Sequence, residues 1–237
     1  MGLRHPGTKV ERFRFRSRHR ARTWHRRLAK LLTAPIYYMY ESGQFCSILR
    51  QRSVDKRGHA VPMLTYPAID FLRSIEPELR HADVLEFGCG QSTKWLAPRV
   101  RSLLGVEQRD DFREVLRREF VDDPRIRFVG NEMPFDIEGA FDIVILDGSP
   151  RIQSSHFAPS VLREDGLIIV DNSDVQSLSE IPEYLHSLGF GRVDFFGYSP
   201  TGVRKQGTSV FFKSLRWFRI NTKVMPISSN SHTEGLV

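Results

Sequence analysis

Between residues 66 and 190, short apolar runs alternate with stretches whose apolar residues recur at helical spacing. The runs are Asp83–Phe87, Ser102–Val106, Ile126–Val129, Phe141–Leu146 and Leu167–Val170. Helical faces are marked by Ala68, Phe71, Leu72 and Ile75; by Trp95 and Leu96, disrupted at Pro98; by Phe112, Val115, Leu116 and Phe120; by Phe157, Val161 and Leu162; and by Ile181, Tyr184, Leu185 and Leu188. A strand followed by a helix and another strand makes a parallel pair, because only a crossover returns the chain to the same end. From Ile143 the fourth run, and the whole of the fifth, are continuously apolar, as a sheet covered on both faces requires. Arg192–Tyr198 and Thr208–Lys213 are two further strand-like runs joined by Ser199–Gly207 with no helix, which predicts an antiparallel hairpin. The expected fold is α/β: a Rossmann-like, doubly wound, mostly parallel seven-stranded sheet ending in that hairpin, with a ligand crevice at the strand carboxyl ends.

The first run leads into Gly88-Cys89-Gly90-Gln91-Ser92-Thr93. Glycines between a strand and a helix let the backbone turn sharply and approach a ligand. Ser92 stands where a dinucleotide fingerprint has its third glycine, and it is the expected helix cap. The missing Gly-Lys-Ser/Thr argues against a triphosphate loop. Alone, the turn reads equally as a tight strand–helix junction. Glu107 tips the balance: it ends the second run, seventeen residues after Gly90, where a carboxylate can accept both hydroxyls of a ribose.

With Gly105-Val106-Glu107, Phe141–Asp147 and Gly166–Asp171, the stretch Val84–Thr93 resembles the class I S-adenosylmethionine-dependent methyltransferases over roughly residues 60–214. The resemblance implies S-adenosylmethionine as cofactor. It places the turn of Gly88, Cys89, Gly90 and Ser92 at the methionine end, links Glu86 with the methionyl amine and gives Glu107 the ribose. It also points to Asn131 and Glu132 for the adenine and sets Asp147 beside the cofactor. The implied activity is methyl transfer to a hydroxyl of a small molecule or glycan.

Asp147 ends the fourth run and Asp171-Asn172 the fifth, so all three reach one rim of the crevice. Two carboxylates and an amide oxygen suit Mg²⁺ or another hard divalent cation. The trio is similar to the metal ligands of catechol-type, cation-dependent O-methyltransferases, which have a lysine base a few residues after the first aspartate. This chain has Arg151 there, which stays protonated and is suited to orienting an anionic substrate. Asp147 as general base without a metal, or aspartates that only hold rim loops, are the alternatives. His156 is a spare base candidate, with a plain helix residue as its other reading. Tyr66 and His59 precede the cofactor region, where such a segment either lids the site or only packs.

Charge divides the chain. The formal net charge is +7, yet residues 1–30 carry 11 Lys and Arg against one acid, Glu11, leaving 24 against 27 in the remainder. Four regions follow: a basic tail with a short amphipathic helix (1–40), a lid or helical segment (41–82), the cofactor-binding domain (83–214) and a C-terminal tail (215–237). A nucleic-acid partner through the tail is disfavoured for the crevice, whose domain is mildly acidic and lacks Asn/Asp-Pro-Pro-Tyr/Phe and Pro-Cys motifs. A non-catalytic binding protein on the same fold is the third reading. Two cysteines, Cys46 and Cys89, exclude a disulfide scaffold. No run is long enough to span a membrane, and Pro6 breaks a myristoylation signal after Gly2. The expected location is cytoplasmic, with peripheral membrane contact or mitochondrial import as alternatives for the Arg-rich start.

Overall fold

The structure is a computed structural model that describes residues 9–132 and 135–218, with side chains from residue 24 onward. Its sheet has seven strands: β1 (Asp83–Phe87), β2 (Ser102–Val106), β3 (Ile126–Val129), β4 (Phe141–Leu146), β5 (Leu162–Asp171), β6 (Gly191–Gly197) and β7 (Gln206–Phe212). They lie in the order β3-β2-β1-β4-β5-β7-β6. β3, β2, β1, β4 and β5 are parallel neighbours, while β7 is antiparallel to both β5 and β6. This is the Rossmann-like arrangement, and the order reverses between β1 and β4. The crevice therefore opens at their carboxyl ends.

Strand periodicity explains the two covered faces. Val84, Leu103, Ile143, Ile145, Leu167 and Ile169 enter one core. Leu85, Leu104, Val144, Leu146, Ile168 and Val170 enter the other. Alternate residues of a strand point to opposite faces, so a run with no polar break must be buried twice. The first core is covered by α3 (Tyr66–Ser74), α4 (Glu76–Leu79), α5 (Gln91–Leu96) and α6 (Asp110–Glu119); the second by α7 (Arg151–Val161) and α8 (Glu180–Ser187). Pro67 sits in the first turn of α3, where its missing N–H costs nothing.

Four boundaries differ from the sequence reading. α1 is one 33-residue helix, Lys9–Glu41, that continues through Pro35 and is far longer than the short amphipathic helix expected. One missing hydrogen bond is tolerated in a helix held by so many others. Leu162 is not on a helix face; it opens β5 and pairs with Phe141. Both hairpin strands begin one or two residues earlier than expected, because cross-strand register and not apolar content sets their ends. The first residues of the expected C-terminal tail are packed: buried Trp217 donates its indole N–H to Asp165 O at 2.7 Å, and Phe218 meets Phe71 and Phe212. Residues 219–237 of that tail, and residues 1–8 of the basic one, lie outside the described residues.

The segment before β1 contains α2 (Gln44–Arg50), a bridge between Val54 and Ala60, then α3 and α4. It docks on the hairpin. Thr65 N donates to Thr208 Oγ1 (3.1 Å), Thr65 Oγ1 to Phe195 O (3.0 Å), and Tyr66 N to Tyr198 O (2.9 Å). Tyr66 is buried against Tyr38, and His59 is exposed beside Asp55.

Candidate functional site

The glycine turn sits at the strand-order reversal, where two backbones touch. Gly88 has φ +89°, and a Cβ there would lie 2.5 Å from Gly148 N. A Cβ on Gly148 would lie 2.6 Å from Gly88 Cα. The contact is tied by Gly148 N to Phe87 O (2.7 Å), Asp147 N to Phe87 O (2.9 Å) and Gly88 N to Val106 O (2.9 Å). Gly148 was not singled out from sequence, although its position directly after the strand-ending Asp147 was a signal. Gly90 serves differently: its φ is extended and nothing lies within 4 Å of a Cβ built there. Its backbone borders open space.

Thr93, also unassigned from sequence, organises the floor of this turn. Its hydroxyl accepts Gly90 N at 2.8 Å, which caps α5, and donates to Glu86 Oε2 at 2.5 Å. The expected cap was Ser92. Ser92 is buried, and no side-chain hydrogen bond from it caps α5. The signal for Thr93 was its place three residues after Gly90, the third position of the helix. Glu86 is fully buried, and its Oε1 has no hydrogen-bond partner. Burial pushes its carboxyl up to about 7; the Ser92 and Thr93 hydroxyls oppose this, and repulsion from Asp147 and Glu107 adds to it. A buried oxygen with no partner is costly unless a ligand supplies the donor.

Glu107 is buried at the end of β2. Its Oε1 accepts Arg109 N at 2.9 Å and its Oε2 accepts Cys89 N at 3.2 Å. The acid and the glycine turn are therefore locked together. Cys89 contributes this N–H; its Sγ lies against Gly105, and burial pushes the thiol up. Asn131 Nδ2 donates to Ser149 O at 3.2 Å, joining the end of β3 to the loop after β4. Glu132 is exposed and folds back over Gly130.

At the rim, Arg151 opens α7 and reaches across the ends of β4 and β5. Its Nη1 donates to Asp171 O (3.0 Å) and Asn172 Oδ1 (3.4 Å); its Nη2 donates to Asp147 O and to Asp147 Oδ1 (3.4 Å). Asp171 is buried, and its Oδ1 accepts the Thr208 hydroxyl at 2.7 Å. Burial, with Asp147 repulsion second, raises Asp171 to about 7; burial also raises Asp147, against the pull of Arg151. This donor set does not fit a divalent cation. A guanidinium already lies among the oxygens that would ligate one, and Asp171 is turned toward Thr208. His156 is not brought to the rim. Its Nε2 is 3.1 Å from Glu180, and its ring meets the tilted ring of Tyr184 at 4.1 Å between centroids, both partners on α8.

Comparison with solved structures finds the same architecture. The chain is similar to an O-methyltransferase from Bacillus cereus in complex with S-adenosylhomocysteine, with a TM-score of 0.51, 15% identity and coverage of 72% of this chain and 91% of that one. It is similar to the O-methyltransferase TomG from Streptomyces achromogenes, involved in tomaymycin synthesis and bound to S-adenosylmethionine, with a TM-score of 0.50, 16% identity and coverage of 63% and 81%. Cofactor-bound Rv0187 from MTB gives a TM-score of 0.51, 19% identity and coverage of 72% and 89%. No family model and no curated protein sequence matches. At these identities the likeness shows the fold: a Rossmann-like, class I methyltransferase architecture.

Proposed function

We propose that this chain is an S-adenosylmethionine-dependent O-methyltransferase acting on a hydroxyl of a small molecule or glycan. The observation that carries the reading is the orphaned Glu86 Oε1, buried under the open glycine turn and facing no donor of its own. An ammonium group would satisfy it and return the carboxyl to its charged form. Glu86 would thus hold the methionyl amine, the backbone at Gly88 and Gly90 the methionine end, Glu107 the ribose hydroxyls, and Asn131 with Glu132 the adenine side. When bound, the cofactor supplies an electrophilic methyl group on a sulfonium.

The chain's own residues supply the rest. Asp147 and Asp171 are neighbouring carboxylates whose affinity for protons burial raises, Asp171 to about 7, so they can take the proton of an acceptor hydroxyl. Arg151 holds the Asp147 end of the pair in place and contributes a fixed positive charge beside any oxygen that becomes negative there. No step here is routed through a metal, because Arg151 stands among the atoms that would ligate one.

Calorimetry with S-adenosylmethionine tests the cofactor site. Parent protein should bind, and Glu107→Ala should weaken binding at least about tenfold, since two ribose hydroxyls lose a charged acceptor. Absence of binding by the parent would end the reading. A labelled-methyl screen over glycans, small phenols and RNA then identifies the acceptor, with transfer to a hydroxyl expected.

A further inference from the structure

We infer that α1 is a membrane-surface helix, lying in the interface of an anionic lipid bilayer. The inference stands apart from the methyltransferase reading. It begins with exposed apolar side chains that the domain does not use. Trp24, Leu28, Leu31, Leu32 and Ile36 are all exposed, Trp24 at 64% and Leu31 at 71%. At about 100° per residue they fall within one arc of roughly 140°. Arg26, Arg27 and Lys30, also exposed, occupy the opposite side of the same helix. An apolar stripe containing Trp and Leu, backed by arginine and lysine, is the pattern of a helix that sinks one face below the headgroups.

The helix is anchored to the domain at its C-terminal end. Tyr38 meets Tyr66 edge to face, and Glu41 pairs with Lys56 at 2.7 Å. The next helix, α2, adds exposed Phe45 and Leu49. Among the described residues no helix is long and apolar enough to cross a membrane, so α1 lies on the surface and does not span it.

Charge selects the occupant. Residues 1–30 hold 11 Lys and Arg and a single acid. A second copy of this helix would bring the same excess of positive charge against it. A nucleic acid would neutralise the charge but leave the Trp24–Ile36 stripe in water. An anionic bilayer satisfies both faces at once, because polybasic segments are drawn to its surface potential and apolar side chains to its acyl boundary.

The test uses the full chain and sonicated vesicles of phosphatidylcholine, with or without phosphatidylglycerol. Trp95 and Trp217 are buried, at 4% and 2% exposure, so a change in tryptophan emission on vesicle addition reports Trp24. Binding at least tenfold tighter to the anionic vesicles, with a blue shift, is expected. Leu31→Glu with Leu32→Glu should lower vesicle affinity at least tenfold and remove the shift, while thermal unfolding stays unchanged because both residues are exposed. Equal affinity for the two vesicle types would overturn the inference. So would binding without a blue shift that the double variant leaves intact, which is charge attraction alone. A dimer in light scattering that the double variant dissociates, or an RNA duplex bound more tightly than the anionic vesicles, would assign the surface to those partners instead.

Discussion

Replacing Glu86 by Gln should reverse its sign of effect across the neutral range. In the folded, cofactor-free chain the carboxyl titrates near 7, against an ordinary 4.5, because burial penalises its charge. A carboxyl raised in the folded state contributes stability that is fully present below about pH 4.5 and is lost as pH rises through about 7. That gap corresponds to roughly 3 kcal/mol, undiminished by solvent screening because the side chain is fully buried. Gln carries no charge, so it escapes this cost, but its amide nitrogen meets the same unpartnered pocket at about 1–2 kcal/mol. Below about pH 4.5 the parent should therefore match or exceed Glu86→Gln in stability. Near pH 8 the variant should be the more stable, the difference between the two having moved by roughly 3 kcal/mol. Urea unfolding of both proteins at a series of pH values measures this. Other titrating groups, Asp171 among them, occur in both proteins and cancel in the difference. A difference that stays constant to within about 0.5 kcal/mol would refute the desolvation argument for Glu86. The same carboxyl predicts that binding of S-adenosylmethionine releases a proton between about pH 5 and 7, seen as a buffer-dependent calorimetric heat, and that Glu86→Gln abolishes it.

Gly88→Ala should cost at least about 2 kcal/mol, since it combines a positive φ with a Cβ placed against Gly148 backbone; a melting temperature lowered by at least about 4 °C checks this. Methyl transfer should be indifferent to chelators, whereas Arg151→Ala should lower kcat by roughly 10–100-fold through the lost charge at the rim; activity that chelation abolishes and Mg²⁺ restores would contradict the geometry. His156→Ala should leave kcat within about twofold, against the roughly 100-fold or more expected from loss of a general base, because its ring is engaged by Glu180 and Tyr184 on α8.

Much of this protein follows from sequence periodicity. Alternate residues of β1, β2, β4 and β5 enter opposite cores, and that pattern needs no knowledge of neighbours. The glycine turn and Glu107 were legible for the same reason: each lies at the end of a strand whose apolar run marks it. What the tertiary structure alone decided are the contacts between strand ends. Gly88 needs no Cβ because Gly148, sixty residues later, presses on it. Thr65 reaches Thr208 across 143 residues, and the Thr208 hydroxyl in turn donates to Asp171 Oδ1. Arg151 looked like a missing lysine in the sequence, yet the pairing of β4 with β5 brings Asp171 and Asn172 within reach of its guanidinium. Local spacing reports which face of an element is buried. It does not report which distant backbone or charge arrives at the end of that element, because that is set by strand order and by the segments docked on it.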